Sequence, residues 1–396
     1  MIFNTWSFAL FACVTLGFYW SVVPQRRKPA FLVAAGVLFY AASVPAYLLL
    51  VGALAGLTYA LGRAMLRAGS EAQRSRLLTF GIVTIVAALA YFKYAGFLAA
   101  TVNAIARYDL VPAPHVVVPL AISFFTFEFV HVLVDVRAGR IVRLDALEFA
   151  AFATFFPTLV AGPIKRYQSF APQLRAIEAP APQTAALDAY RILLGLAKKT
   201  VIADSMHAFT GPLLGPGDPY GRIDYWVAIL AYAIEIYADF SAYSDIAIGC
   251  SGLLGLRVPE NFAHPYRARN IADFWRTWHV SLSTWIRDYV FVPLGGSRGA
   301  PLVTALNLIV AMALAGLWHG AAWTFVVWGL WHGAGLAVHR AWVRGVVPRV
   351  AFLRDGSLAV RALSTASTFA FVAAGWVFFA APSLGDALAV FRHLFA

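Results

Sequence analysis

Four of the chain's nine histidines lie between positions 279 and 339, in its least charged stretch. That stretch opens DFWRTWHVSLSTWIRDYVFVPLGGSRG (273–299) and then carries no Asp, Glu, Lys or Arg from Gly299 to His339. Within the uncharged run stand Trp318-His319-Gly320 and Trp331-His332-Gly333. An imidazole on an apolar segment costs free energy unless a partner or a function holds it there. A shared metal does not fit the spacing. His332 and His339 share a helical face but are about 10.5 Å apart along it, whereas one ion needs ligands about 2 Å from its centre. His319 and His332 point to nearly opposite faces of a continuous helix. HExxH, CxxC, Walker A and GxGxxG patterns are missing from the sequence, and no serine nucleophile elbow is read in it. What remains is histidine as a general base, taking a proton from a hydroxyl that attacks an activated acyl group such as a thioester. Holding both reactants in register then supplies much of the acceleration, without a protein nucleophile. On residues alone, His319 reads as functional and His279 stays open between function and packing. His332 reads as structural, and His339, beside Arg340, as interfacial.

The elements that position these side chains must be membrane helices. The 396 residues are 61% hydrophobic and 13% charged, with mean hydropathy +0.72, against about 25% charged in soluble domains. The class is a multi-pass membrane protein in a single domain, 1–396. Net charge +12 comes from short basic clusters between apolar segments, as the positive-inside rule produces. No basic and aromatic module suggests nucleic acid as a partner. Cys13 and Cys250 both lie in apolar segments and imply neither a disulfide nor a thiolate site.

Taken in order, Ser7 to Val23 reads as a retained first span, followed by Arg26, Arg27 and Lys28 on the cytoplasmic side. Ala30 to Leu66, broken at Pro45, reads as a hairpin of two spans that returns to a basic loop with Arg63, Arg67, Arg74 and Arg76. Leu77 to Ile105 carries Lys93, expected to snorkel. Val118 to Val134 carries Glu128 and His131 on one face with Asp135 beyond, open between a functional cluster and a satisfied Glu–His pair. Ala150 to Arg166, with Pro157 and Gly162-Pro163, reads as bent or re-entrant. Gln168 to Gln183 reads as an extramembrane linker, and the Gly211–Gly221 segment as a loop. Trp226 to Leu256 carries Glu235, Asp239 and Asp245, expected to face a hydrated interior. Asp273 to Val290 has the period of one amphipathic helix, with His279 beside its apolar stripe. Pro301 to Val338, about 57 Å if wholly helical, must be two spans, and Ala362 to Ala381 is the last. The count is about nine to eleven spans with re-entrant and interfacial pieces.

Several of these stretches carry a resemblance: MIFNTWSF (1–8), YFKYAGF (91–97), PLAISFFTFE (119–128), FFPTLVAGPIKRYQSFAPQL (155–174), KKTVIAD (198–204), DFSAYSDIAIG (239–249), PENFAHPYRARNIADFWRTWHVSLSTWIRDYVFVPLGGSRG (259–299), GLWHGAAWTFVVWGLWHG (316–333) and GWVFF (375–379). In this order, over nearly the whole chain, they resemble the membrane-bound O-acyltransferase (MBOAT) family and its bacterial alginate O-acetyltransferase type. The chain departs from that type in Glu128 followed by HVLVD, and in ending at Ala396 soon after FFAAPS.

The resemblance implies an all-α ring of helices around a central tunnel through the bilayer. It implies an O-acyltransferase of the bacterial inner membrane, which takes an acetyl group from cytoplasmic acetyl-CoA and binds no cofactor or metal. The acyl group would pass to hydroxyls of an envelope or exported polysaccharide, directly or through a periplasmic partner protein. The resemblance maps the family's catalytic histidine onto His319 and a second functional histidine onto His279, with Trp318, Arg287 and Asp288 as candidate substrate contacts. D-alanyl transfer from a carrier protein, as in teichoic acid modification, is the neighbouring alternative. A non-catalytic acyl channel is the alternative from another class.

Overall fold

The computed structural model describes residues 5–114, 116–215, 220–350 and 356–395, and among these every regular element is helical. Residues 1–4 of the N-terminal motif and 216–219 of the Gly211–Gly221 loop lie outside the described residues. In order the helices are α1 Trp6–Ser21, α2 Lys28–Ala41, α3 Leu48–Arg67, α4 Glu71–Leu89, α5 Ala95–Ala106, α6 Ile122–Arg137, α7 Ala146–Ala153, α8 Tyr167–Leu174, α9 Pro182–Ala197, α10 Asp204–His207 and α11 Arg222–Leu253. There follow α12 Ile271–Thr277, α13 Val280–Ile286, α14 Pro301–His319, α15 Trp323–Gly345, α16 Leu358–Ala380 and α17 Leu384–His393. Among the described residues, four helical stretches are long and apolar enough to cross a bilayer: Pro45–Arg67, Glu71–Ala106, Pro301–His319 and Leu358–Ala380. The exposed apolar side chains along them, such as Leu49, Val83, Leu302 and Leu363, have their natural solvent in lipid.

Two compact units are distinguishable. One is Met1–Leu196 with Tyr243–Pro259, the other Ala197–Ala242 with Glu260–Ala396. In the first, the expected break at Pro45 is present: α2 and α3 are separated by a turn at Pro45–Tyr47. Proline fixes φ and removes a donor, so the helix cannot run through it. A π turn at Ala90–Tyr94 joins α4 to α5, and Lys93 Nζ donates to Ser123 Oγ at 3.1 Å rather than simply reaching for the span end. Close approach needs glycine at one point above all: a Cβ on Gly36 of α2 would lie 1.8 Å from the Thr154 carbonyl oxygen.

Glu128, His131 and Asp135, the polar side chains on one face of α6, all have partners. Glu128 Oε1 accepts from Lys165 Nζ at 2.5 Å, with both groups buried. His131 Nε2 accepts from the Tyr167 backbone N–H at 3.1 Å. Asp135 accepts from Gln168 Nε2 at 2.8 Å and pairs with Arg140 at 2.6 Å. Glu128 and His131 thus do not pair with each other. They and Asp135 clamp the segment 165–168, at the end of the bent element, whose irregular backbone must be covered by protein. Part of the expected linker is a packed helix: α8 buries Tyr167, Phe170, Ala171 and Leu174. Asp245 of α11 pairs with Arg191 of α9 at 2.9 Å.

In the second unit, Lys199 Nζ lies 2.9 Å from Asp239 Oδ1 and 2.8 Å from Asp204 Oδ1, and His207 Nδ1 lies 2.8 Å from Glu235 Oε1. The three acids of α11 therefore each face a cationic or imidazole partner. Two antiparallel helices, α14 and α15, reverse at Gly320–Ala322 and pack tightly. A Cβ on Gly316 would lie 2.1 Å from the Phe325 carbonyl oxygen, and one on Gly329 2.3 Å from that of Met312. The expected division of 301–338 into two helices is present, and of the two Pro301–His319 is long and apolar enough to cross a bilayer.

Candidate active site

The helical stripe expected over 273–290 is interrupted where the chemistry was sought. α12 ends at Thr277, Trp278 is extended, and His279 takes the left-handed conformation, φ 42° and ψ 54°, before α13 begins. A left-handed backbone at a residue with a Cβ costs about 1–2 kcal/mol, so surrounding bonds must impose it. Those bonds are visible. Asn270 caps α12 by accepting from the Asp273 N–H at 2.9 Å. Thr277 Oγ1 turns back to donate to the Asp273 carbonyl at 2.9 Å. The buried Asn261 then holds the far side of the turn: its carbonyl accepts from the Val280 N–H at 3.0 Å, and its Oδ1 accepts from Ser281 Oγ at 2.6 Å. Residues 261–263 thereby lie along the 277–281 turn, with Ala263 N–H donating to the Thr277 carbonyl at 3.0 Å.

The turn drives the His279 imidazole into an aromatic enclosure. Its ring centroid is 4.5 Å from Phe240, 5.9 Å from Trp318 and 6.2 Å from His319. His279 is fully buried, and neither ring nitrogen has a hydrogen-bond partner among the described residues. His319 ends α14, where the hairpin reverses, and is half-buried. Around it stand Trp318 at 4.9 Å, Trp328 at 5.2 Å and Phe379 at 5.2 Å between centroids. Gly320 opens the corner: a Cβ there would lie 2.0 Å from Phe325 Cε2.

Three of the five sequence candidates, His319, His279 and Trp318, therefore meet in one place. Arg287 and Asp288 do not join that enclosure. They begin the π turn Arg287–Phe291 and pair with each other at 2.8 Å, with side-chain exposures of 61% and 32%. His339 is half-buried in the last turns of α15.

Two features lay beyond sequence reasoning. Trp328 and Phe379 reach the site from α15 and α16, distant in sequence, and only the GWVFF motif hinted at the second. His332 is not on the opposite face from His319. Because α14 and α15 are separate antiparallel helices, both histidines flank Trp328, with His332 5.0 Å and His319 5.2 Å from it between centroids. The continuous-helix geometry assumed from spacing is wrong at Gly320–Ala322.

A buried and a half-buried imidazole lie side by side among aromatic rings, the second at the end of Pro301–His319, a helix long and apolar enough to cross a bilayer. The chain belongs to the membrane-bound O-acyltransferase (MBOAT) family, whose model matches residues 67–375, and is an acyltransferase. It is 37% identical over 407 residues to the probable alginate O-acetylase AlgI of Azotobacter vinelandii, covering 100% of this chain and 78% of the relative. It is 34% identical to the peptidoglycan O-acetyltransferase of Helicobacter pylori, covering 100% and 80%. A shorter match, 30% over 239 residues and 57% of each chain, is to the teichoic acid D-alanyltransferase of Streptococcus thermophilus.

Proposed function

We propose that this chain is an O-acetyltransferase of the bacterial inner membrane, moving acetyl groups from cytoplasmic acetyl-CoA to hydroxyls of a cell-envelope or exported polysaccharide. Transfer is direct or through a periplasmic partner protein. The observation that carries the reading is the convergence of His279 and His319, 6.2 Å between ring centroids, in one aromatic enclosure. Full-length similarity to relatives named for O-acetylation of alginate and of peptidoglycan supports the choice of acetyl group and acceptor class.

In this reading the helices ring a tunnel, the spans number nine to eleven, and His319 lies at the tunnel's neck. His319 takes the proton of the acceptor hydroxyl as its oxygen attacks the thioester carbonyl. The new C–O bond forms, the C–S bond breaks, and the thiolate leaves with the proton that His319 returns. His279 orients donor or acceptor, Trp318 walls the acyl group, and Arg287 with Asp288 contacts the donor outside the enclosure. The aromatic walls exclude water, which keeps the thioester from hydrolysis.

The test is His319→Ala in cells that depend on this chain, with envelope polysaccharide ester content read by mass spectrometry. Loss of a general base lowers the rate about 10²–10⁴-fold, so acetyl esters disappear while the protein remains inserted and folded. Wild-type ester content in the variant refutes the assignment. A lost D-alanyl ester in place of acetyl would favour the carrier-protein reading that the shorter match raises. Acetylation that persists but passes more slowly would favour a channel.

A further inference from the structure

His332 is the buried titratable group that the proposed reaction leaves unused. It is fully buried, and both ring nitrogens lack a hydrogen-bond partner among the described residues. The same holds for the indole nitrogens of Trp275 and Trp328. These three rings form one triangle, with centroids 5.2 Å apart for His332–Trp275, 5.0 Å for His332–Trp328 and 5.7 Å for Trp275–Trp328. Neighbouring indoles are satisfied: Trp376 Nε1 donates to Tyr266 Oη at 3.2 Å and Trp331 Nε1 to the Phe371 carbonyl at 3.0 Å. Unpartnered ring nitrogens are therefore gathered at this triangle, on α12 and α15. Room for the imidazole is kept by Gly375 of α16, where a Cβ would lie 2.9 Å from His332 Nε2.

A buried polar group without a partner is destabilising, and replacing it by an apolar group of the same shape is neutral or favourable. An aliphatic side chain would serve packing better at this position, so packing alone does not account for an imidazole. One imidazole nitrogen and two indole N–H groups would supply three polar contacts, within the two to four that an internal water needs. We propose that His332 is a positioning residue of the acyl-transfer site: with the indole N–H groups of Trp275 and Trp328 it holds an internal water that fixes Trp328, the ring walling His319. The inference rests on the acetyl-transfer reading above. It places His332 one ring removed from the reacting atoms, acting through Trp328.

The test uses membrane vesicles from the native cells, with the chain supplied as wild type, His332→Leu or His332→Gln, and labelled acetyl-CoA as donor. Transfer to endogenous polysaccharide is measured per folded protein, with folding read as the thermal midpoint in detergent. His332→Leu is expected to keep the wild-type midpoint or exceed it, to lose at least tenfold in kcat, and to leave the donor KM within about threefold. His332→Gln, which retains hydrogen-bonding groups, is expected to recover kcat to within about threefold of wild type. Wild-type kcat in His332→Leu overturns the proposal, as does a Gln variant as slow as the Leu variant. Should His332→Leu not accumulate folded, the Gln variant decides alone, and a loss beyond tenfold overturns the proposal. If wild-type vesicles transfer no label, the acetyl-transfer reading falls and this inference with it. Transfer by wild type and by His332→Leu alike removes the inference and leaves that reading standing.

Discussion

His279 offers the sharpest separation of stability from activity, because its backbone and its side chain can be tested apart. Its φ of 42° lies in the left-handed region, where a Cβ costs about 1–2 kcal/mol. Glycine escapes that cost but loses about 0.5–1 kcal/mol more conformational freedom on folding. His279→Ala and His279→Gly remove the same imidazole and the same contacts with Phe240, Trp318 and His319. Their difference isolates the Cβ, so the Gly variant should be the more stable by about 0.5–1 kcal/mol. Both should lose acyl transfer, by at least tenfold, if the imidazole orients a substrate. The assay is a pair of thermal melts in one detergent, run beside acetyl transfer in membrane vesicles. An Ala variant as stable as the Gly variant would refute the strain argument. Wild-type transfer in either variant would refute the role of the imidazole.

Two further outcomes follow from packing. Glu128→Leu and Lys165→Met, made singly, should each destabilise by about 3–5 kcal/mol, because each leaves a buried charge without its partner. The double variant should recover most of that loss, and a double-mutant cycle of thermal midpoints that shows simple additivity would contradict the pairing. Gly329→Ala should open the α14–α15 hairpin at a cost of about 1–3 kcal/mol, since its Cβ would meet the Met312 carbonyl at 2.3 Å. Trp328 precedes Gly329 on the same helix, so acyl transfer should fall in the same preparations. An Ala variant with wild-type midpoint and activity would show that the hairpin can relax.

The sequence alone determined a good deal of this. Apolar content excludes a water-soluble fold, and no packing argument can reverse that. The break at Pro45 follows from local geometry, as does the doubling of 301–338 from its length, and the helices α2, α3, α14 and α15 fall where those signals put them. His319 stood out because an uncharged run makes an imidazole costly, and that cost is the same in any fold. What the sequence could not supply were partners. The face Glu128–His131–Asp135 is legible from its i, i+3, i+7 spacing, but nothing local says that its partners are Lys165, the Tyr167 amide and Gln168. Periodicity assigned His279 to a continuous helix, whereas Asn261, far back in the chain, holds a left-handed turn there instead. It also set His332 opposite His319, because a helical wheel assumes that the helix continues. Periodicity describes the faces of one helix. Which faces meet is decided by where the chain reverses, here at Gly320–Ala322, and by the close approach that Gly316 and Gly329 permit between the two arms.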